Sequence, residues 1–591
     1  MSPPGGADGL QGPAPARKPL LGVSLALSAI TGALVALGNA GTAPFLAWLA
    51  SLAASLALCR QRGEERRLAR SDWLALALLL ALTGFFRLYR IGEIPSGPWV
   101  DELAAAANAV TLTGRQPFTP FGATPLFEAG PQWVHTPNLY LYFCYAVLWL
   151  SGFSQLGVKL ISVLPGIATP PLLYLLGRRF LSREAALLAA GLLAVSDWQV
   201  TVGRWGWDEV LVTALTVAAF AALLAGVQDR RPSSFFLAGV VTGLAQYAYV
   251  AARLSALAAA TFLAVRALET RKRRELADLG LFAAGLLQAV LPIAVFWIGH
   301  PATFAVRERE ISIVPRLLAG DLGPLLENVR AYGLMFLVRG DANPRQNIPG
   351  LPMLDLVAGI LFVAGLVAAV ATWRRAGSQM TLLWLSIGLL GGILSHPESA
   401  PNSYRVGLVA PACMLLAGMG WQEAITLIRR FRPGAFARSS AYAAAALVTL
   451  SGVLTFANYF VARPASRECW LAVKEGAYCE VLRRRTERAL DAGAQVLLDR
   501  RLGWVTTRLQ FDTLITRRRP PGAFRWVEAE AVEPARLHRC VLFIKPERYP
   551  ELPGALQSLP ARAIANPFGE EIFVAISADR ALLKVVEPDR R

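Results

Sequence analysis

Three short stretches of this sequence set acids, bases and aromatics where they could move a proton or hold a phosphate. The first is Pro98-Trp99-Val100-Asp101-Glu102-Leu103, at the start of an Ala-rich amphipathic stretch. A carboxylate there can take the proton of an attacking hydroxyl or amine, a task that needs hydrogen-bond reach more than an extreme pKa. Asp101 equally suits a helix cap, with Glu102 favoured by the helix dipole, and capping leaves catalysis open. The second stretch, Arg204-Trp205-Gly206-Trp207-Asp208-Glu209, puts a base and an acid at helical spacing; an i,i+4 ion pair flanked by an interfacial tryptophan belt accounts for it as well. The third begins His135-Thr136-Pro137-Asn138, and a lone histidine serves more often as a hydrogen-bonding partner than as a base or ligand.

Two further segments end in arginine, Tyr247-Ala248-Tyr249-Val250-Ala251-Ala252-Arg253 and His396-Pro397-Glu398-Ser399-Ala400-Pro401-Asn402-Ser403-Tyr404-Arg405. A guanidinium grips a phosphate bidentately, although it also anchors a helix end by snorkelling. Taken jointly, Asp101, Glu102 and Asp208 with His135, Arg204, Arg253 and Arg405 are what is needed to activate a hydroxyl while stabilising a departing phosphate. Trp99, Tyr247, Tyr249, His396 and Asn402 would line the same cavity. Asp101 and Asp208, with Glu102 as a third ligand, also offer a divalent cation hard oxygen donors.

The elements that must position these residues are membrane helices. Of 591 residues 54% are hydrophobic and 17% charged, and the mean hydropathy of +0.44 excludes an ordinary soluble protein. The net charge of +18 is dispersed through short loops, a topology signal rather than the stripe a nucleic-acid binder carries. About thirteen apolar runs of spanning length fall within residues 20–461, predicting a polytopic helix bundle. With that count the basic clusters at 60–70, 178–183, 230–231, 271–274, 374–375 and 429–438 share the side of the N-terminus, which the positive-inside rule makes cytoplasmic. The outer face then receives the first loop, 91–154, the loops near 203–208 and 253, the segments 300–353 and 396–405, and everything beyond 461. Counting residues 139–150 as a span would invert five later clusters, so they are read as a juxtamembrane helix on the outer surface.

Residues 1–19 read as a disordered cytoplasmic N-terminus ahead of an uncleaved first helix, 20–461 as the transmembrane domain, and 462–591 as a small extracytoplasmic α/β domain with strand-length runs at 495–498, 541–545 and 571–576. The six cysteines show no zinc spacing, and Cys469 and Cys479 are candidates for a disulfide on an oxidising face.

The order of these features resembles the GT-C glycosyltransferases, and within them the protein O-mannosyltransferase and lipid A aminoarabinose transferase branch. The features are a span, Asp101-Glu102 on the first outer loop, His135-x-Pro137-x-x-Tyr140, a span ending Gly177-Arg178-Arg179, then Arg204 and Asp208, and later Pro401-Asn402-Ser403-Tyr404-Arg405. The resemblance covers roughly residues 72–430. It implies a multi-pass enzyme of a bacterial-type plasma membrane that transfers a hexose or pentose from a polyprenyl-phosphate carrier to a protein, lipid or glycan acceptor. It also implies Asp101 as catalytic base, Asp208 as a second acid of the cavity, and His135 and Arg204 near the donor phosphate. Two spans precede the usual first one, and the C-terminal part carries no familiar acceptor module. A lipid or sugar transporter is the alternative from another class; it predicts an internal hydropathy repeat, which the sequence lacks.

Overall fold

The computed structural model describes residues 17–59, 68–115, 117–126, 135–431 and 439–587. Most of the N-terminal segment, most of the 60–70 cluster and the greater part of 429–438 lie outside the described residues. The chain begins with helices α1 (Arg17–Ala36), α2 (Thr42–Cys59) and α3 (Arg70–Leu88). The long segment between α3 and α6 carries α4 (Val100–Arg115), the two-stranded antiparallel ribbon β1 (Ala123–Pro125) and β2 (His135–Pro137), and α5 (Asn138–Leu150). There follow α6 (Gln155–Gly177), α7 (Arg183–Val195), α8 (Asp197–Val202), α9 (Glu209–Asp229), α10 (Pro232–Ala245), α11 (Ala252–Thr270) and α12 (Arg273–Gly299). Three short helices, α13 (Pro301–Phe304), α14 (Val306–Ile311) and α15 (Val314–Leu318), lead through α16 (Gly323–Leu334) to α17 (Leu356–Ala371), α18 (Ala376–Ile393), α19 (Ala410–Phe431) and α20 (Ser439–Thr455).

All thirteen apolar runs are helical. Nine helices among the described residues are long and apolar enough to cross a bilayer. The other four are less regular than the sequence predicts: α10 has 14 residues and α17 has 16, α7 breaks into α8 at Ser196, and α11 falls short in hydropathy rather than length. The loops that follow α8 and α10, 203–208 and 246–251, both run along the cavity described below. Irregular backbone is tolerated among membrane helices where it lines such a cavity. Helix α5 has 13 residues and at 1.5 Å per residue is too short to span a bilayer; it packs on α4 and α6.

Local signals set the ends. Ser154 and Ser182 cap α6 and α7 by accepting from Gly157 N (3.1 Å) and Ala185 N (3.2 Å), and Asp355 accepts from both Val357 N and Ala358 N to start α17. Without a hydrophobic drive in lipid, helix pairing depends on close backbone approach. A Cβ at Gly365 of α17 would stand 1.7 Å from the Leu416 carbonyl oxygen of α19, and one at Gly420 2.1 Å from that of Leu361.

Beyond the last span, α21 (Arg463–Ala465), α22 (Arg467–Leu471) and α23 (Lys474–Asp491) lead into a five-stranded sheet ordered β4 (Phe524–Val527), β3 (Gln495–Asp499), β5 (Cys540–Ile544), β7 (Glu571–Ile576), β6 (Ala561–Ala565). β3 runs parallel to β4 and β5, whereas β7 is antiparallel to β5 and β6. Helix α23 covers one face, where Cys479 and Leu482 pack on Val496, Val541 and Phe573. The Cys469–Cys479 disulfide is not formed: all six cysteines are free thiols, and Cys479 Sγ lies 2.6 Å from Gln510 Oε1. The sheet-bearing region docks on the loop ahead of α4 through a pair of glycines, Gly97 and Gly476, since a Cβ at Gly476 would meet the Pro98 carbonyl oxygen at 1.8 Å.

Candidate active site

One cavity of about 160 Å3 collects Asp101 and Ala105 from α4, His135 and Pro137 from β2, Gly206 to Asp208 ahead of α9, Tyr249, Arg253 of α11, Phe304 and Tyr404. Helix α4 delivers Asp101 in its first turn, and the Trp99 indole donates to Asp101 Oδ2 at 3.1 Å. The ribbon that carries His135 is tied down by Asn138, whose Nδ2 donates to the Thr119 carbonyl (2.8 Å) while its Oδ1 accepts from Thr124 Oγ1 (2.7 Å). Asn108 of α4 reaches the Pro125 carbonyl at 2.9 Å and fixes the ribbon to that helix.

Asp208 accepts from the Tyr404 hydroxyl at 2.8 Å. Burial pushes the Asp208 carboxyl up to about 6, and the neighbouring Asp101 charge acts in the same direction. Burial and the Asp208 charge together hold the Tyr404 phenol well above its ordinary range, so this hydroxyl keeps its proton and remains a donor. Tyr404 also packs on Trp207 and Tyr249, at ring separations of 4.6 and 5.2 Å. Arg253 stacks on Phe304 at 3.9 Å and donates to the Phe304 carbonyl at 2.6 Å, which directs its fork along the cavity wall. His135 is kept neutral, because burial lowers its pKa below 6.5; its Nδ1 is buried and has no hydrogen-bond partner among the described residues.

The remaining residues singled out in the sequence are placed elsewhere. Glu102 is 1% exposed and turns away from Asp101: its carboxylate accepts from Lys159 Nζ at 2.7 and 2.9 Å, from Gly206 N at 2.7 Å and from Trp99 N. This buried pair ties α4, α6 and the 203–208 loop together, and Lys159 also lies over the Trp205 ring at 4.7 Å. Arg204 is fully buried and spends its guanidinium on the carbonyls of Phe86, Arg87, Tyr89 and Ile94, at 2.7–3.0 Å. It does not pair with Asp208. Tyr247 donates to the Ala289 carbonyl at 3.1 Å and packs on Trp48 and Phe121. His396 bonds the Glu310 carbonyl at 2.8 Å, and Asn402 shapes its own loop by accepting from Arg405 N. Arg405 is half-buried beside that loop and does not line the cavity.

Sequence reasoning missed Arg345. Its guanidinium stacks on Trp99 at 4.0 Å and lies 5.9 Å from the Trp207 ring. Burial lowers the Arg345 pKa, and the Asp101 charge is the largest contribution holding it up. The signal was its place in a polar segment, 339–355, between two helices. That loop is held by Asp341, which accepts from Ser403 N and Ser403 Oγ at 2.7 and 2.8 Å.

For a divalent cation the residues present do not make a full ligand set. Asp101 and Asp208 share the cavity, Glu102 is committed to Lys159, and among the described residues no group of three or more His, Cys, Asp or Glu side chains converges.

Residues 135–298, the stretch from β2 to α12, match the model of the dolichyl-phosphate-mannose-protein mannosyltransferase family. Among solved structures, the chain is similar to ArnT from Cupriavidus metallidurans in the apo state, at 13% identity and a TM-score of 0.47 over 88% of this chain and 100% of that one. It is also similar to the oligosaccharyltransferase AglB from Archaeoglobus fulgidus in complex with an inhibitory peptide and a dolichol-phosphate, at 12% identity and a TM-score of 0.44 over 85% and 74%. A third likeness is to the Saccharomyces cerevisiae Pmt1-Pmt2 complex bound to its sugar donor, at 17% identity and a TM-score of 0.30 over 43% and 36%. No curated protein matches the chain.

Proposed function

We propose that the chain is a polyprenyl-phosphate-sugar-dependent glycosyltransferase of the outer membrane face, an inverting enzyme that passes a hexose or pentose to a protein, lipid or glycan acceptor. The family match over residues 135–298 supports the donor class. The observation that carries the reading is the meeting of a carboxylate, Asp101, and an arginine, Arg253, on one cavity between helices.

In the proposed step an acceptor oxygen or nitrogen attacks the anomeric carbon as the bond from that carbon to the carrier's phosphate oxygen breaks. Asp101 takes the acceptor's proton, and the electron pair leaves with the polyprenyl phosphate. Trp99 donates to Asp101 Oδ2 and so orients the carboxylate on the cavity wall. Arg253 meets the charge that develops on the departing phosphate, with neutral His135 beside it as a hydrogen-bonding partner. Asp208, fixed by Tyr404, is placed to bind sugar hydroxyls. Holding the carrier chain between helices orients the reacting carbon at small entropic cost. The basic loop clusters support a cytoplasmic N-terminus and an outer C-terminal domain over 462–591.

The test is turnover of a panel of radiolabelled polyprenyl-phosphate sugars by the protein in lipid, comparing wild type with Asp101→Asn. Turnover should fall by about 10²–10⁴ with donor binding retained. Normal turnover in the variant, or a wild type that binds none of the donors, refutes the reading.

A further inference from the structure

Behind the wall of the active-site cavity lies a second chamber of about 160 Å3, which nothing in the proposed step uses. It sits where the sheet-bearing region meets the outer ends of the helices. Its walls include Arg90 and Ser96 from the loop ahead of α4, Trp205, Arg345, Arg463 at the end of the last span, and Trp470 of α22. The partition between the two spaces is thin and aromatic. Trp205 faces the second chamber and Trp207 the first, and the two indoles stack at 5.4 Å with planes 17° apart. Arg345 lies along this partition, over Trp99, the residue that holds Asp101.

The charge in the chamber is one-sided. Three arginines face a single carboxylate, Glu93, which pairs with Arg90 at 2.6 Å. Arg463 is committed to Thr201 Oγ1 and the Arg345 carbonyl, both at 2.7 Å. Arg345 is placed differently: its guanidinium lies flat on Trp99 at 4.0 Å, with Asp101 as the carboxylate that acts on it most, and it borders the chamber at the partition.

We propose that this second chamber is the acceptor site, and that it takes an acceptor carrying an anionic group, held at Arg345 and Arg90 while the acceptor's nucleophile reaches Asp101 past Trp99. This rests on the glycosyltransferase reading and gives the C-terminal region a part in it, since Trp470 closes the chamber from that side and Gly476 packs directly on Pro98.

The experiment uses the full chain in lipid nanodiscs, a radiolabelled polyprenyl-phosphate sugar, and native membranes as the source of acceptor. Three quantities are read: donor binding, slow donor hydrolysis, in which water replaces the acceptor and gives its proton to Asp101, and transfer to the membrane fraction. Ser96→Trp fills the chamber from its half-buried rim. It should cut transfer at least tenfold, with donor binding and hydrolysis within twofold of wild type. Transfer within twofold of wild type means the chamber is unused, and a tenfold loss of donor binding makes it part of the donor site; either result overturns the proposal. Inorganic phosphate tests the charge. Inhibition of transfer that is competitive with membranes, and weakened at least threefold in Arg90→Gln, supports an anionic acceptor, whereas competition with the donor alone overturns that assignment. A wild type with no hydrolysis and no donor binding would sink the glycosyltransferase reading itself, a result separable from failure of the variant alone.

Discussion

Lys159→Met should loosen the wall that presents Asp101 without touching Asp101 itself. In the native protein Lys159 and Glu102 have side chains 4% and 0% exposed, joined at 2.7 Å. Removing one partner of a buried pair leaves an uncompensated charge and costs about 3–5 kcal/mol, while replacing both with neutral groups is often close to neutral. At about 1.4 kcal/mol per tenfold, that loss multiplies the local opening equilibrium by roughly 10²–10³ or somewhat more. Two amides report on it directly, because Gly206 N donates to Glu102 at 2.7 Å and Trp99 N donates to the same carboxylate. Hydrogen exchange at residues 99 and 206 should accelerate by about two to three decades in Lys159→Met, with most of the protection returning in Lys159→Met/Glu102→Gln. Donor turnover should fall with it, since a misplacement of about 1 Å at a reacting group can cost about 10²-fold. Exchange within threefold of wild type at both amides, or a double variant no better protected than the single one, would refute the claim that this pair positions the site.

Other expectations are simpler to test. Arg253→Gln should weaken donor binding about tenfold to a hundredfold, the worth of one or two charge-assisted hydrogen bonds, by equilibrium binding of a labelled polyprenyl-phosphate sugar; unchanged affinity would move the phosphate elsewhere. Because burial depresses the His135 pKa below its ordinary 6.5, the unfolded chain binds the proton more readily, so stability is full above 6.5 and falls as the pH drops below it. Thermal unfolding in detergent should show that acid loss reduced in His135→Asn, and an identical pH profile would count against it. Denatured without reductant, the chain should titrate six free thiols, against the four that a Cys469–Cys479 bridge would leave.

Much of the architecture was legible because membrane helices advertise themselves: apolar length alone located all thirteen helical runs, and the sidedness count alone argued that 139–150 was not a span. The site was legible only in part. Asp101, Asp208, His135, Tyr249 and Arg253 share one cavity with Tyr404, which the motif contained without its role being read. Trp99 borders it through its bond to Asp101. Arg204, Tyr247, His396 and Asn402 lie off it, each spent on neighbouring structure, and Arg405 lies off it beside the Asn402 loop. Outer-face polarity nominates such residues, yet a buried cation bonded to four carbonyls and one exposed to substrate look alike in a string of letters.

By itself the sequence determined a polytopic helical chain, an acidic pair at the head of an amphipathic helix and a sheet-bearing tail, because composition and periodicity are local properties. Only the tertiary structure showed which member of the acidic pair faces the cavity. Successive side chains on a helix point about 100° apart, so Asp101 and Glu102 face different neighbours, and it is Lys159, 57 residues away on α6, that claims Glu102. The same holds for Arg345, brought beside Asp101 by a loop clamped at Ser403. A buried charge must find a partner somewhere in the folded chain, and where that partner comes from is settled by packing between distant segments.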